Sequence, residues 1–513
     1  ALDSRVLAFS RAAPLGAAAR RSELRRPAPP LAAALRPELV RVRSSPRGWP
    51  RMSTAAAVAV PEGGPGLSSS ARACIFAVQF SEAVQSMMLF PFLPFMMEGF
   101  GVPVSRLGVY AGALSSSYCF ASFIATPIVS SLSDTVGVRK TMLFTIAVGI
   151  VAMGLFGTAT SYKAALVARI VAGSMNGNIS ILKAFIARTT SGQARVKAFG
   201  LLTLAFGCGA VMAPATGGLL ARPAALYPLT FGAIPIFRTQ PYLLPCLVCM
   251  VVQIGAFVTT YIALPAGVPS SPAVGTATAT QAAPKAASLK ERLSFLRQRG
   301  PMLACLAYAL DCFVNVLYDL AVPLLLKTPM KDGGVGLSMR EIGFLLSAAS
   351  VGLFGSLPLQ APLTQRVGLK RSLAWANFLL LPVLLFLPAI ALLRRYALSG
   401  AAPAALNGAI FPLLLVTLAL INCFGTLGFT LGNVLVNNSV PPSQLAMING
   451  VSQSFSALAR GFAPLVGGLI VTISTRMSIP GGQFIVFAFM GLTACTAGYV
   501  VKQVPKSADS EKK

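Results

Sequence analysis

The chain has 513 residues, of which 55% are hydrophobic and 11% charged. Soluble globular domains carry about 25% charged residues. A chain of this composition therefore needs lipid around it. It has no histidine, which excludes catalysis by a Ser-His-Asp triad or a Cys-His pair and removes the commonest metal ligand. Lysine and arginine (42) outnumber aspartate and glutamate (14) to give a formal net charge of +28, and in a membrane protein such an excess can mark cytoplasmic loops and not a nucleic-acid surface.

The first 71 residues form a leader that is rich in arginine, alanine and proline. Residues 1–51 contain eleven arginines, no lysine and three acidic residues. Because such a segment cannot bury a hydrophobic core, we expect the leader to be disordered. Two origins stay open. An Arg-rich, acid-poor segment is typical of an organellar transit peptide, and Met52 could equally be the start of translation, with translated upstream sequence before it.

From residue 70 onward, long apolar runs alternate with short polar joints. We count twelve such runs, each about the ~20 residues that a helix needs to cross ~30 Å of hydrocarbon. Because no water inside a bilayer can satisfy the backbone, the runs are predicted to be helices and not strands. The predicted spans are 73–97, 107–129, 141–159, 163–187, 198–220, 241–264, 302–326, 341–360, 372–393, 408–434, 446–473 and 482–501.

A segment that is first Pro/Ala/Thr-rich and then basic, residues 265–300, separates the sixth span from the seventh. It is predicted to be a cytoplasmic linker between an N-terminal bundle (72–264) and a C-terminal bundle (301–503), with residues 504–513 as a cytoplasmic tail. Lysine and arginine cluster in the joints that follow even-numbered spans. Both chain termini are therefore predicted to be cytoplasmic.

Three short patterns recur in the same order in both halves of the chain. Their comparable spacing indicates two related six-helix bundles. Internal repeats with a binding site at their interface are typical of secondary transporters. The pairs are APATGGL (213–219) with APLVGGL (463–469), LSDTVGVRK (132–140) with LTQRVGLKR (363–371), and an acid twelve residues before a proline at Glu82 and Pro94 and at Asp311 and Pro323.

Seven segments, some of which overlap the repeats, point to a family. They are FPFLPFM (90–96), SDTVGVRK (133–140), ARIVAGSMNGN (168–178), the glycine-rich run at 200–218, YDLAVPL (318–324), VNNSVP (436–441) and NGVSQSFSALARGFAP (449–464). With these segments the chain resembles the major facilitator superfamily, and more narrowly its proton-coupled drug-antiporter branch, which includes the plant zinc-induced-facilitator-like proteins and their fungal relatives. The resemblance implies an all-α membrane protein with twelve transmembrane helices in two pseudo-symmetric six-helix bundles.

The resemblance also implies roles for particular residues. Arg169 matches the family's fourth-span arginine, which is linked with proton coupling. In the joint after the second span, the residues that match the family's cytoplasmic gate are Asp134, Gly137 and Arg139, although the basic residues there could serve only to fix orientation. The span-five motif of the antiporters, which permits close helix packing or a hinge, is matched by Gly200, Gly209, Pro214, Gly217 and Gly218. The chain departs from the family's pattern at Ser130, Thr135, Val138, Ala213 and Leu320.

Of the fourteen acidic residues, three lie in the interior of predicted spans, namely Glu82, Asp311 and Asp319. A charge at the bilayer centre costs about 2.5–3.5 kcal/mol on insertion scales, so these residues, with Arg169, are predicted to line a central cavity between the bundles. Polar residues at helical spacing accompany the acids on one face of each helix. The residues predicted in this way to shape the substrate cavity are Gln79, Gln85, Tyr308, Asn315 and Tyr318.

These features predict a secondary active transporter that exports a small organic solute in exchange for protons. Burial of a carboxyl group favours its protonated form and a nearby cation favours the ionised form, so a change in the separation of Glu82 and Arg169 would load and release a proton. An alternative is a static ion pair that joins two helices. A proton symporter, a uniporter, a non-transporting membrane sensor and an organellar envelope as the membrane also stay open.

The sequence predicts no enzyme activity, no cofactor and no bound metal. The chain has no GxxxxGK[ST] motif, so transport is predicted to use a gradient and not ATP. Its partners are predicted to be the lipid bilayer, the solute and protons, with no nucleic acid, and the protein is predicted to be a monomer.

Overall fold

The computed structural model describes residues 67–190, 192–264, 298–398, 404–440, 444–476 and 481–505, and nearly all of these are helical. Residues 1–66 of the predicted leader and most of the predicted linker lie outside this part of the chain. The helices are α1 (Ser69–Met87), α2 (Leu93–Gly99), α3 (Leu107–Val136), α4 (Val138–Gly157), α5 (Tyr162–Ser174), α6 (Asn178–Thr189), α7 (Gly192–Leu220), α8 (Pro223–Leu226), α9 (Pro228–Phe231), α10 (Pro235–Thr239), α11 (Leu243–Ala263), α12 (Arg299–Lys327), α13 (Met339–Ala349), α14 (Val351–Val367), α15 (Leu369–Leu398), α16 (Ala404–Asn438), α17 (Leu445–Arg476) and α18 (Gln483–Gln503).

The prediction of helices and not strands is confirmed. Within the described ranges, eleven helical stretches are long and apolar enough to cross a membrane. The first predicted span is the exception, because α1 buries a polar stripe that includes Gln79, Glu82 and Gln85 and ends before α2 begins. Together α1 and α2 make the remaining crossing, and the fold is the predicted one of twelve transmembrane helices in two six-helix bundles.

In three membrane-spanning segments the helix is interrupted, which hydropathy alone does not indicate. Turns at residues 88–92 separate α1 from α2, residues 175–177 separate α5 from α6, and α13 meets α14 at Ser350. Irregular backbone at membrane depth is tolerated where protein surrounds it. Met88 and Ser350 are accordingly buried.

The connection between α7 and α11 folds into three one-turn helices, α8, α9 and α10. Each begins at a proline, namely Pro223, Pro228 and Pro235. Proline suits the first helical position because its φ is already helical and its missing N–H would have no partner there. The proline spacing therefore divides this connection into single turns.

The repeated joint has the same backbone geometry in both halves of the chain. Gly137, between α3 and α4, has φ 101° and ψ 148°, and Gly368, between α14 and α15, has φ 93° and ψ 152°. Glycine is the residue that adopts a positive φ without a steric cost. The matching geometry supports the internal repeat.

The repeated APxxGGL motif places one glycine of each copy against the other bundle. Gly218 of α7 faces Gly343 of α13, so closely that a Cβ on Gly343 would lie 2.5 Å from the Gly218 Cα. Gly468 of α17 faces Gly108 of α3, where a Cβ would overlap the backbone of its partner. The two contacts are related by the pseudo-symmetry of the bundles, α7 to α13 in one case and α17 to α3 in the other.

We call the face at which α1 begins and α18 ends the terminal face, and the opposite face the distal face. Both glycine contacts lie in the distal half of the molecule. An ion pair joins the bundles there as well, since Lys327 Nζ at the end of α12 lies 2.8 Å from Glu98 Oε2 at the end of α2. The Val109 N–H of α3 also donates to the Thr472 hydroxyl of α17 (3.0 Å).

The bundles separate toward the terminal face. Near the middle, Phe120 of α3 still packs edge-on against Phe462 of α17, with ring centroids 5.2 Å apart. One and two turns further along α3, Ile124 and Ile128 are each 66% exposed. The structure is thus closed between the bundles at the distal face and open toward the terminal face.

Candidate functional site

Glu82 lies inside the N-terminal bundle, at a small polar cavity of about 20 Å3 between α1, α4, α6 and α11. The side chain is 7% exposed, and neither carboxylate oxygen makes a hydrogen bond of normal geometry, although the Asn178 amide lies beside it. The Thr145 hydroxyl donates to Asn178 Oδ1 (2.6 Å), and Gln253 completes the lining with an unpartnered amide oxygen. A cavity of this size can hold about one water molecule.

Arg169 is buried on α5, 3% exposed, and its guanidinium stacks on an aromatic ring. The Cζ atom lies 4.2 Å from the centroid of the Tyr118 ring on α3 and 5.9 Å from that of Phe156. The Tyr118 hydroxyl is within electrostatic range of both Arg169 and Glu82. No ion pair joins Glu82 to Arg169 in the described part of the chain, so in this conformation the two charges are held apart.

Asp311 lies inside the C-terminal bundle, where glycines of α16 make room for it. The side chain is 3% exposed, and a Cβ on Gly432 would lie 3.2 Å from Asp311 Oδ2. That oxygen makes no hydrogen bond, although Asn377 lies beside the carboxyl group. Tyr308, one turn earlier, is buried with its ring centroid 5.3 Å from that of Phe429.

The other residues predicted to shape the cavity are also packed within the bundles. Asn315 is half-buried and donates to the Asp311 carbonyl of its own helix (2.8 Å). Tyr318 is buried, and Gln79 and Gln85 are buried on α1, with Gln85 lining the Glu82 cavity. The structure therefore brings Gln85 to Glu82 and Asn315 to Asp311, each within its own bundle.

The gap between the bundles holds a different set of charges. Asp319 of α12 is half-buried, and the Cys119 thiol of α3 lies within electrostatic range of both Asp319 and Arg460 of α17. Arg460 is half-buried on α17, and Lys183 of α6 is exposed. Position along the helices puts Lys183 nearest the terminal face, Arg460 in the middle and Asp319 nearest the distal face.

The residues that match the family's cytoplasmic gate lie at the joint between α3 and α4. Arg139 stacks over the Tyr261 ring at the end of α11, with its Cζ 4.5 Å from the ring centroid, while Gly137 makes the turn before it. The side chain of Asp134 lies outside what the structure describes. The predicted gate therefore stays a prediction.

The span-five motif is distributed over two contacts and an open position. Gly209 and Gly217 face the first crossing, where a Cβ would overlap its atoms, and Gly218 faces α13. Gly200 has no atom within 4 Å of where its Cβ would lie. Pro214 lies inside α7, which continues as one helix through it.

Sequence reasoning did not select Thr145, Gln253 and Tyr118, which surround Glu82 and Arg169. The first two are polar residues inside predicted spans, so the rule that selected the acids could have been extended to them. Tyr118 carried no signal, because an aromatic side chain in an apolar run is ordinary. Its role depends on which helix faces it, and that is a property of the packing.

Comparison with known proteins places the chain among membrane transporters. A model of the Major Facilitator Superfamily matches residues 75–328 and 304–513. A multidrug transporter of this superfamily from Aspergillus fumigatus is 26% identical over 479 residues, which cover 76% of each chain. ZINC INDUCED FACILITATOR 1 of Arabidopsis thaliana is 26% identical over 447 residues, covering 80% of this chain and 87% of the relative.

A solved structure has the same fold at low sequence identity. A D-xylose-proton symporter matches 86% of this chain and 98% of its own with a TM-score of 0.64 at 12% identity. At this identity the likeness concerns the arrangement of helices.

Proposed function

The chain belongs to the Major Facilitator Superfamily, and from that premise we propose that it is a proton-coupled antiporter that exports a small organic solute by alternating access. As a member of this family it is a multi-pass membrane transporter and not an enzyme. The coupling to protons and the direction of transport are the proposed part. They are supported by the resemblance to antiporters in the span-five motif and by the surroundings of Glu82.

In the proposed orientation the terminal face is cytoplasmic, because the joints on that face carry most of the lysines and arginines. The opening between the bundles then faces the cytoplasm, where an exported solute would enter. Release on the other side requires the distal contacts to separate. The glycine pairs and the ion pair of Lys327 with Glu98 are thus the contacts that alternating access would have to break.

The observation that carries the proposal is the state of the Glu82 carboxyl group. It is buried, and within the described ranges of the chain it has no ion pair and makes no hydrogen bond of normal geometry. An unpaired carboxylate is costly in such surroundings, so this conformation favours the neutral acid, which carries a proton. A rearrangement that admitted water or brought the Arg169 guanidinium off the Tyr118 ring toward Glu82 would favour the ionised form and release that proton.

Proteoliposomes with an imposed pH gradient test this proposal. We expect an acidic lumen to drive accumulation of a transported solute, screened with fluorescein, rhodamine 123 and tetracycline, whereas a symporter requires the opposite gradient. Glu82→Gln is expected to lose gradient-driven accumulation while it still exchanges solute down a solute gradient, because it cannot release a proton. Asp332→Asn, which changes an exposed acid on the distal face, is the matched control.

Two outcomes would contradict the proposal. Gradient-driven accumulation at the wild-type rate in Glu82→Gln would remove Glu82 from the coupling. Absence of flux of every probe in either direction would favour the sensor.

A further inference from the structure

We propose that the cavity beside Glu82 binds one water molecule, and that the Gln253 amide of α11 positions this water against the Glu82 carboxyl group. Gln253 is then a positioning residue for the proton that Glu82 carries. The inference rests on the proposed function in taking Glu82 as the proton carrier. It adds a bound water and a partner residue on another helix.

The first argument is the hydrogen-bonding state of the atoms at the cavity. Within the described residues, three buried oxygen atoms of its lining have no hydrogen-bond partner of normal geometry, namely both carboxylate oxygens of Glu82 and Oε1 of Gln253. The two side chains are only 7% and 3% exposed. All three oxygens can accept a hydrogen bond, and a buried acceptor without a donor costs free energy. A small molecule that donates hydrogen bonds would remove that cost.

The second argument is that the cavity has room for one water molecule. Its volume is about 20 Å3, and about 10–15 Å3 on this measure is enough for one water. Gly149 of α4 leaves space there, since a Cβ at this position would lie 3.7 Å from Gln85 Nε2 and 3.8 Å from Gln253 Nε2. The break between α5 and α6 also lies at the cavity, where Met175 and Asn176 line it. The polar lining supplies the roughly two to four partners that a buried water needs.

The third argument is that a water suits both protonation states of Glu82. When the carboxyl group is neutral, its O–H can donate to the water, and the water donates to Gln253 Oε1. After the proton leaves, the same water can turn and donate to the carboxylate with one hydrogen and to Gln253 with the other. A direct contact between Gln253 Oε1 and Glu82 suits only the neutral acid, because two acceptors do not bond to each other. The water therefore keeps Gln253 hydrogen-bonded while Glu82 loads and releases its proton.

The neighbouring charged and polar groups leave this role to Gln253. The Arg169 guanidinium stacks on the Tyr118 ring, and neither residue is among those that line the cavity. Cys249, one turn before Gln253 on α11, is buried and also lies outside the lining. Asn178 does line the cavity, but its Oδ1 already accepts a hydrogen bond from a hydroxyl group (2.6 Å). Gln253 Oε1 is thus the buried amide oxygen of the lining that has no donor within the described residues.

Infrared difference spectra of the purified full-length protein in nanodiscs, recorded between acidic and alkaline buffer, test the inference. The C=O stretch of the neutral Glu82 carboxyl group is identified as the band that Glu82→Gln removes. Gln253→Met keeps the length of the side chain and removes the amide. We expect it to move the Glu82 band to higher frequency, because the carboxyl group loses its hydrogen-bonded water. In the wild type we also expect a water O–H band that shifts in heavy-oxygen water and that both variants lack.

Transport in proteoliposomes gives a second readout. Gln253→Met should slow accumulation driven by a pH gradient by about tenfold, since the ionised carboxylate loses one charge-assisted hydrogen bond. Exchange of solute down its own gradient should change far less, because the cavity lies inside the bundle and not in the gap. Thr260→Val is the matched control, since it removes a buried hydroxyl group further along the same helix and outside the cavity. It should leave the spectrum and both transport rates unchanged.

Two results would overturn the inference: a Glu82 band that stays at the wild-type frequency in Gln253→Met, or a wild-type spectrum without a water band that responds to heavy oxygen. The second measurement needs no variant, so it decides the question even if Gln253→Met does not fold. The same experiments separate the two proposals. A wild type that shows both bands but no gradient-driven transport contradicts only the proposed function. Gradient-driven transport with an unmoved Glu82 band contradicts only the role of Gln253.

Discussion

Arg169 is a cation buried in the bundle without an acidic partner in the described residues, and the Tyr118 ring takes the place of that partner. A desolvated guanidinium over an aromatic face gains about 2 kcal/mol from the cation–π interaction. The same contact keeps the guanidinium away from Glu82. Tyr118 thus has two effects, since it stabilises the charge and it separates the two residues of the proposed proton switch.

A double-mutant cycle measures this interaction. Tyr118→Leu should lower the thermal unfolding midpoint in detergent, because it leaves the cation without its ring, whereas Tyr118→Phe keeps the ring and should unfold near the wild-type midpoint. In an Arg169→Met background the loss caused by Tyr118→Leu should shrink by the coupling of about 1–2 kcal/mol. An equal loss in both backgrounds would mean that the ring contributes only apolar packing.

Individual residues also mark how far sequence reasoning reaches. Composition and the cost of burying charge were enough to select Glu82, Asp311 and Asp319. They could not tell whether each acid faces the inside of a bundle or the gap, because the rotation of a membrane helix is set by its neighbours. Lys183 and Arg460 also fall within predicted spans, so they satisfied the same rule as the acids.

Helices pack against one another here through glycines at equivalent places in the two repeats. The contact of Gly218 with Gly343 and that of Gly108 with Gly468 bring backbones together in the distal half. Close backbone approach of this kind is how helices associate in a membrane, where lipid offers no hydrophobic drive between them. These two glycine contacts are therefore the surfaces that alternating access must separate.

Adding a methyl group at these crossings should shift the conformational equilibrium. Gly343→Ala would place a Cβ 2.5 Å from the Gly218 Cα and 2.8 Å from the Pro214 carbonyl oxygen, so it should disfavour distal closure. We expect longer spin-label distances between Arg106→Cys and Arg340→Cys, measured by double electron–electron resonance in a cysteine-free background. Gly255→Ala, at an exposed position of α11 with open space around it, is the control and should leave the distances unchanged. Unchanged distances in Gly343→Ala would show that the helices at the Gly218–Gly343 contact accommodate the methyl group while the distal face stays closed.

Helix positions followed from sequence because a run of apolar residues of the right length has one structure available in lipid. The breaks at 88–92, 175–177 and 350 did not, since each depends on packing that covers the freed backbone. The repeated joint was recognised as a pattern of letters. Its physical basis, a positive φ at Gly137 and Gly368, became visible only in the fold.

On the scale of the whole molecule, the ion pair found within the described residues joins the bundles at the distal face. Lys327 is held both by Glu98 and by the Phe95 ring, whose centroid lies 5.1 Å from its Nζ. Glu98 belongs to the first membrane-spanning segment and Lys327 to the seventh, so the pair joins the N-terminal bundle to the C-terminal bundle. It exists only while the distal face is closed, and it should therefore bias the ratio of the two conformations and not the stability of either bundle.

Charge reversal tests this bias. The Glu98 side chain is 49% exposed, so the pair should contribute no more than about 1 kcal/mol, or roughly a fivefold change in the conformational ratio. Glu98→Lys should move the spin-label distances between positions 106 and 340 toward the open distribution, since two lysines repel. Adding Lys327→Glu restores opposite charges and should return the closed distribution. If the double variant stays as open as Glu98→Lys, the charge pair is not what holds the bundles, and the closed state rests on the glycine crossings alone.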